Sequence, residues 1–256
     1  MNVTSLKLSK EQVLQYLREG YLGPFTLCSP EEMAEIREVL LREVLYKPSV
    51  IQRDPLQSRH LDHSIVFELC SHPEITERMA SIMGDDLILW RSHFFQKDPG
   101  SKDVPWHQDV NSWPMIEPKL NITAWIAIDD AFIENSCVQI IPRSHTSVVP
   151  HIPVTETKAF YFGEESDPRY VNVKDAVPME LKAGQFFLFN ERMLHYSAPN
   201  TSDKRRIGLA ARVTTPIVKV DHGKLFPGHK CVLIRGKDTM ELNEMAEPPH
   251  IGGLKK

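Results

Sequence analysis

The chain has 256 residues, of which 41 % are hydrophobic and 25 % are charged, as in an ordinary soluble globular protein. Its formal net charge is −4 and it contains no long run of Lys or Arg. We therefore expect no nucleic-acid partner, because phosphate binding needs clustered basic side chains. No apolar run approaches the roughly 18 residues of a membrane span, and the first residues lack the apolar core of a secretory signal. Four cysteines without CxxC spacing then favour a reducing compartment, and we predict a cytoplasmic protein.

The N-terminal third, residues 1–84, is predicted to be mainly helical and to pack outside a sheet. Ser9 is a capping residue before a stretch of helical spacing, and Gly20 has the conformational freedom to end that helix. Ser29, followed by a proline and two glutamates, predicts the start of a second helix. A third helix of the same style is predicted to end at Gly84.

Short segments rich in β-branched and aromatic residues follow Gly84, and they read LILWRSHFF, LNITAWIAI, CVQIIP, GQFFLFN and RRIGLAARVTT. Such a succession predicts a β-sandwich or barrel with residues 85–216 as its core. Residues 146–178 interrupt the pattern with a long polar stretch, which we interpret as a functional lid loop. Residues 217–256 show little periodicity, so we expect a C-terminal extension that wraps the surface or is partly disordered. All of these parts are predicted to form one domain, residues 1–256.

His107 and Asp109 stand two residues apart in the sequence WHQD, at a predicted strand end. Side chains at i and i+2 of a strand point to the same face, so the imidazole and the carboxylate can be aimed at one point. His195 lies between two predicted strands, and closure of a barrel can bring it opposite His107. Two histidines and one carboxylate form the metal-binding triad of non-haem Fe(II) oxygenases. Zinc can occupy the same ligands in a hydrolytic site, so the ligands alone do not decide the metal.

Arg206 favours the oxygenase interpretation. It lies 11 residues after His195, on the next predicted strand. A guanidinium there can grip a distant carboxylate with two parallel hydrogen bonds. Oxygenases with this triad commonly use 2-oxoglutarate, which chelates iron at one end and leaves a carboxylate at the other. A zinc hydrolase would give Arg206 no such role.

Three segments carry a family resemblance: WHQD, AWIAIDDAFIENSCVQIIPRSH and LKAGQFFLFNERMLHYSAPNTSDKRRIGLAARV. In combination and in this order they resemble the phytanoyl-CoA dioxygenase family, and the likeness covers roughly residues 9–215. The resemblance implies an enzyme that depends on Fe(II), 2-oxoglutarate and O₂. It also implies a mainly β fold with flanking helices, in which the barrel is a double-stranded β-helix of the jelly-roll, cupin-like kind.

The resemblance also assigns roles to individual residues. It implies that His107, Asp109 and His195 bind iron and that Arg206 binds the far carboxylate of 2-oxoglutarate. Ser197 is implied to donate a hydrogen bond to that same carboxylate. Two further residues match family positions that contact the cosubstrate, and they are Gln108 and Trp125.

The chain departs from the family pattern at two turn positions. Ser136 and Arg143 stand where the family usually has glycine. We expect Asn135 to adopt the positive φ that the first turn requires, because asparagine visits that region more readily than most residues. Related enzymes that halogenate their substrates replace the acidic iron ligand with a small residue. Since Asp109 is present, halogenation is disfavoured.

The substrate is predicted to be a small-molecule metabolite of a biosynthetic pathway, hydroxylated with release of succinate and CO₂. The lack of a basic patch argues against an acyl-CoA, which remains an alternative substrate for the same chemistry. A zinc-dependent hydrolase or isomerase and a non-catalytic binding barrel also remain open. We expect a monomer or homodimer. The residues predicted to line the substrate pocket are Asn111, Trp113 and Leu89, with His151 and Tyr161 as loop candidates.

Overall fold

A computed structural model describes residues 6–51, 53–154 and 163–249 of the chain. Two antiparallel sheets form its centre, one of six strands and one of four, and two-stranded sheets lie beside them. The strand order is β1-β10-β5-β12-β2-β14 in the larger sheet and β3-β11-β6-β9 in the smaller. The strands are β1 (Tyr21–Thr26), β2 (Leu87–Lys97), β3 (Val104–His107), β4 (Ile116–Glu117), β5 (Ile122–Ala127), β6 (Val138–Ile140), β7 (His151–Pro153), β8 (Glu164–Ser166), β9 (Val177–Met179), β10 (Gln185–Asn190), β11 (His195–Ser197), β12 (Arg206–Thr214), β13 (Lys219–Val220) and β14 (Val232–Arg235).

Side chains from both sheets meet in one buried cluster, which joins β5, β10 and β12 of the larger sheet to β6 and β9 of the smaller. A second and larger cluster lies on the other face of the six-stranded sheet, where the helices pack. This arrangement, together with the solved structures described below, confirms the predicted jelly-roll fold. The α-helices are α1 (Lys10–Glu19), α2 (Pro30–Val39), α3 (Ser64–Cys70), α4 (Pro73–Met83) and α5 (Asp109–Ser112).

The predicted helix boundaries are confirmed. The side chain of Ser9 accepts a hydrogen bond from the backbone N–H of Gln12 at 3.3 Å, and the Gln12 side chain bonds back to Ser9. Gly20 ends α1 with a φ of 81°, a conformation that glycine adopts without a steric cost. Ser29 caps α2 in the same reciprocal way. Gly84 follows α4.

One strand within the N-terminal third was not predicted from the sequence. Strand β1 lies at the edge of the larger sheet and pairs with β10. It contains Gly23 and Pro24, which are both unfavourable in strand interiors, and for this reason its sequence does not indicate a strand. At a sheet edge the missing N–H of proline is tolerated. Leu22 of this strand is buried in the larger apolar cluster.

The C-terminal extension has more structure than the sequence indicated. Strand β13 pairs with β4, and β14 joins the larger sheet beside β2. Val220, Cys231 and Val232 are buried. Because these side chains belong to the apolar clusters, the described part of the extension is not merely a surface wrapping.

The long segment proposed as a lid contains a small hairpin. Strands β7 and β8 pair with His151 opposite Ser166. Residues 155–162, and with them Tyr161, lie outside the described part of the chain. The four cysteines are all free thiols. None of the helices in the described part of the chain combines the length and apolar character that a membrane crossing requires.

Replacement of Leu22 by alanine tests whether β1 belongs to the core. Leu22 is 3 % exposed, so its truncation should lower the free energy of unfolding by about 2–5 kcal/mol. Leu14 on α1 is 53 % exposed. Leu14→Ala should therefore change the free energy of unfolding by no more than about 0.5 kcal/mol. Urea denaturation of both variants measures the difference. Equal effects would contradict the placement of β1.

Candidate active site

The three predicted metal ligands lie together. Strand β3 pairs with β11 so that His107 stands opposite His195, and the two ring centroids are 4.0 Å apart. Strand β3 ends at His107, and Asp109 begins the short helix α5. The prediction that Asp109 shares the strand with His107 is therefore wrong, but the turn brings its carboxylate to the same place. One ligand atom from each of the three residues lies within 4.8 Å of the others.

Hydrogen bonds fix which nitrogen of each histidine can bind a metal. The Nδ1 atom of His107 lies 2.8 Å from the carbonyl oxygen of Pro105, and that of His195 lies 2.9 Å from the carbonyl of Met193. A carbonyl oxygen only accepts, so each Nδ1 carries the proton and each Nε2 presents its lone pair. Burial lowers the pKa of both imidazoles below the usual value, which keeps them neutral. Both histidines are therefore in the form that a metal ion requires.

Asp109 completes a donor set that fits a divalent metal. Its side chain is buried, and its Oδ2 atom accepts no hydrogen bond from the residues that the structure describes. A buried carboxylate oxygen without a donor is unfavourable unless a cation lies against it. Two neutral imidazoles and this carboxylate suit Fe(II) and also suit Zn(II), so the triad identifies a metal site without selecting the metal.

The triad opens into a cavity between the two sheets. Aromatic rings form much of its wall, and three of them belong to Phe95, Trp125 and Phe189. The polar side chains at the wall are mostly cationic or hydroxylic. They include Lys97, Ser197, Arg206 and Arg212.

Arg206 is almost completely buried, at 2 % exposure. Its Nε atom donates to the carbonyl of Ser136 at 3.1 Å, and the guanidinium lies over the Trp125 ring at 5.3 Å. Burial lowers the pKa of Arg206 to about 10, so it is positively charged at neutral pH. Its hydrogen bonds within the described residues use Nε and Nη1, which leaves Nη2 for a ligand. The geometry fits an anionic group that binds at this end of the cavity.

Lys97 is a second buried cation beside Arg206, and the sequence did not identify it. It is the cross-strand partner of Arg206 on β2. Its ammonium donates to the carbonyls of Ser197 and Ala198, at 3.1 and 2.6 Å. Burial, with Arg206 nearby, lowers the pKa of Lys97 to about 7. Ser197 is also buried at the cavity wall.

Trp125 lies at the cavity wall as predicted. Its strand β5 pairs with β12, and Gly208 of β12 lies directly against the indole. A Cβ atom at Gly208 would overlap the ring atoms of Trp125. The glycine therefore allows the indole to lie flat beside Arg206 and shape this end of the cavity.

The turn that contains Asn135 and Ser136 differs from the expectation of a positive φ at Asn135. Ser136, and not Asn135, has the positive φ, at 76°. The Asn135 side chain instead accepts from the N–H of Phe132 and donates to the carbonyl of Asp130, which closes the turn. Ser136 is held in place because its hydroxyl donates to Ala198, and its carbonyl receives the hydrogen bond from Arg206. The second unusual residue, Arg143, has a φ of 67°.

Gln108 and Asn111 do not reach the cavity. The Gln108 amide donates to Ser147 and accepts from Val149, both at 2.8 Å. Asn111 donates to the carbonyl of Val149 at 2.9 Å. Both side chains therefore fasten the segment after β6 to the metal-binding turn, and they do not line the space for a cosubstrate or substrate as predicted.

The other predicted substrate residues also lie away from the cavity wall. Leu89 is fully buried in the larger apolar cluster because it sits beside an irregularity in β2, where it faces the helices. Trp113 is buried against Trp90, with ring centroids 5.2 Å apart. His151 is half-buried, with its Nε2 atom 3.1 Å from the hydroxyl of Ser166.

Arg212 is a further cavity residue that sequence analysis missed. It lies on β12 at an even spacing from Arg206, so both side chains point to the same face of the sheet. This alternation was visible in the sequence RRIGLAARV and predicts that the second arginine shares the interior with the first.

Comparisons with known proteins agree with this geometry. The chain is 31 % identical over 132 residues to dioxygenase lolE1 of Epichloe uncinata, covering 50 % of this chain and 46 % of that protein. It thus spans about half the length of that relative. A solved structure of CytC3 with Fe(II) and alpha-ketoglutarate superposes with a TM-score of 0.74 and 27 % identity, over 95 % of this chain and 94 % of the other. The non-haem monooxygenase ThoJ, 24 % identical, shares the fold with a TM-score of 0.78 over 93 % and 88 % of the two chains.

The family model that matches is that of phytanoyl-CoA dioxygenase (PhyH), and it covers residues 16–208, most of the chain. The chain therefore belongs to the phytanoyl-CoA dioxygenase family.

Proposed function

We propose that this protein is an Fe(II)- and 2-oxoglutarate-dependent dioxygenase that hydroxylates an unactivated C–H bond of a small molecule. The observation that carries the proposal is that one cavity is lined by both the His107, Asp109 and His195 triad and the buried Arg206. The triad alone also suits zinc. A buried guanidinium at the cavity wall can bind the far carboxylate of 2-oxoglutarate. In a zinc hydrolase this guanidinium would have no corresponding role.

The triad, Arg206, Ser197 and the aromatic rings of the cavity each have a role in this proposal. The imidazole Nε2 atoms and the Asp109 carboxylate would hold Fe(II), which supplies the oxidation of 2-oxoglutarate and of the substrate by O₂. Arg206 and Ser197 would bind the far carboxylate of the cosubstrate. The aromatic rings around them exclude water, which strengthens the electrostatic attraction between the guanidinium and the carboxylate.

Hydroxylation is proposed in preference to halogenation because Asp109 supplies a carboxylate to the metal. An enzyme that binds halide on the iron needs that position to be open. The products of the proposed reaction are the hydroxylated substrate, succinate and CO₂.

The remaining parts of the proposal concern the substrate, the cellular location and the oligomeric state. We propose a cytoplasmic enzyme with a single domain, monomeric or homodimeric, that acts on a metabolite of a biosynthetic pathway. The cavity wall combines aromatic rings with a few polar side chains, as pockets for small molecules do. An acyl-CoA is the alternative substrate. The segment 146–178, with the hairpin of β7 and β8, would serve as the lid.

Formation of succinate from 2-oxoglutarate tests the proposal. The purified protein with Fe(II) should produce succinate slowly without substrate, only when O₂ is present. His195→Ala should lose this activity, because it removes a metal ligand. His63 is a half-buried histidine outside the cavity, and His63→Ala should retain the activity. Zinc-dependent chemistry would give no O₂-dependent succinate, and that result would overturn the proposal.

Arg206→Gln should weaken binding of 2-oxoglutarate by about 10- to 100-fold, because a hydrogen-bonded charge pair is lost inside the protein. Metal binding should be unchanged. Arg205, the neighbouring arginine, pairs with Asp129 outside the cavity wall, so Arg205→Gln is the matched control. Calorimetric titration of the anaerobic Fe(II) protein measures both affinities. Equal affinities in the two variants would contradict the role of Arg206.

The pKa of Lys97 predicts a pH dependence for cosubstrate binding. The lysine is charged below about pH 7 and neutral above it, because its folded pKa is lowered by burial. A dianionic ligand favours the charged form, so the dissociation constant of 2-oxoglutarate should rise between pH 6.5 and pH 8.5. Lys97→Met should bind more weakly and show a flatter profile. A profile that is the same in both proteins would contradict this prediction.

A further inference from the structure

Arg212 is a buried guanidinium at the cavity wall with no hydrogen bond to any residue that the structure describes. It is 4 % exposed, and its Nε atom is enclosed without an acceptor. Among the described residues, the opposite charge that lies close to it is Asp109, whose Oδ1 atom is 3.7 Å from Nη2. That distance is too long for a hydrogen bond. The guanidinium therefore carries five N–H donors into the protein interior with no protein acceptor for them.

Such a group is costly unless a ligand or water satisfies it. Burial of an unpaired charge is among the most unfavourable events in folding, and even a neutral donor without an acceptor is destabilising. Two aromatic rings hold the guanidinium in place: its central carbon lies 4.7 Å from the ring centre of Trp113 and 5.9 Å from that of Phe95. Its position is thus set before any ligand arrives, and its donors line the cavity.

The nearby charges do not neutralise Arg212. Its cross-strand partner on β2 is Arg91, a second cation, which bonds to Gln57 at 2.5 Å. The carboxylate of Asp109 is the ligand of the proposed iron. In the proposed active site, Fe(II) and Arg206 together already balance Asp109 and the two carboxylates of 2-oxoglutarate, and Lys97 adds further positive charge where it is protonated. This charge balance, which rests on the proposed function, leaves Arg212 as an unmatched positive charge beside the metal.

We propose that Arg212 binds an anionic oxygen group of the substrate, so that the enzyme acts on a small acidic molecule. A guanidinium presents two parallel N–H groups that match the two oxygens of a carboxylate or of a phosphonate. The anionic group would lie next to Asp109. The C–H bond to be oxidised therefore lies only a few bonds from that group in the substrate.

The far carboxylate of the cosubstrate does not account for Arg212. Arg206 and Arg212 are six residues apart on one strand, a separation of about 20 Å between their backbones. The far carboxylate held at Arg206 is therefore at the other end of this stretch of the strand from Arg212. The carboxylate of 2-oxoglutarate that chelates the metal is the other candidate partner of Arg212. The charge-transfer band of the Arg212→Gln variant distinguishes this carboxylate from an anionic group of the substrate.

Three probes of similar size test the charge of the substrate group that Arg212 binds: butyrate, butyramide and butylammonium. Each is titrated by calorimetry into the protein loaded anaerobically with Fe(II) and saturating 2-oxoglutarate, at constant ionic strength. Butyrate should bind at least about tenfold more tightly than butyramide, and butylammonium should not bind. Propylphosphonate in a parallel titration distinguishes a carboxylate from a phosphonate group. Equal affinity for butyrate and butyramide, or no binding of butyrate, would overturn the proposal.

Variants of Arg212 test whether this residue causes the preference for butyrate over butyramide. Arg212→Gln should abolish the preference for butyrate, and Arg212→Lys should keep part of it because the charge remains. Arg42→Gln removes an exposed arginine that pairs with Glu43, and it should behave as the wild type. A preference that survives in Arg212→Gln would overturn the proposal.

The visible charge-transfer band of the iron–cosubstrate chelate serves as the second readout. Arg212→Gln should keep this band, since the iron ligands and Arg206 are unchanged. Loss of the band in Arg212→Gln would assign Arg212 to the cosubstrate and overturn the substrate proposal. Absence of the band in the wild type would refute the proposed function itself, which is a different result.

Discussion

The pairing of β3 with β11 is the constraint on which the site depends. It sets His107 opposite His195, and the carbonyls of Pro105 and Met193 then fix both imidazoles with Nε2 available. Both carbonyls belong to residues two positions before their histidine, so each ring is held by the chain segment that leads into it. The same pairing places Ser197 at the cavity wall. Metal ligation and cosubstrate binding therefore depend on one short antiparallel contact.

Positive charge in the interior is the second characteristic of the molecule. Lys97, Arg206 and Arg212 are all less than 5 % exposed, and they line one cavity. Because burial disfavours each charged form, such a site is costly in the free protein and is stabilised by anionic ligands. The six-stranded sheet that carries all three side chains is packed on its other face by a large apolar cluster. That packing offsets the cost of the cationic interior.

The sequence predicted that the three triad residues lie together, because local patterns encode their positions. The triad residues and Arg206 lie in or beside segments with clear strand character, and the family motifs carry their spacing. Strand β1 was missed because glycine and proline conceal an edge strand.

Other features depend on tertiary contacts that a one-dimensional pattern does not contain. Lys97 could not be predicted, because only the register of β2 against β12 places it beside Arg206. Leu89 was misplaced because an irregularity in β2 turns it towards the helices. Gln108 and Asn111 were misassigned for a related reason: their amides bind backbone atoms about 40 residues further along the chain.

The most direct test of the account is the visible spectrum of the anaerobic protein after addition of Fe(II) and 2-oxoglutarate. The cavity should assemble one iron and one cosubstrate, which gives the weak charge-transfer band of the chelate. The band should disappear in His195→Ala and weaken in Arg206→Ala. A correctly folded wild-type protein without the band would contradict the account, since the triad and Arg206 would then not act as one site.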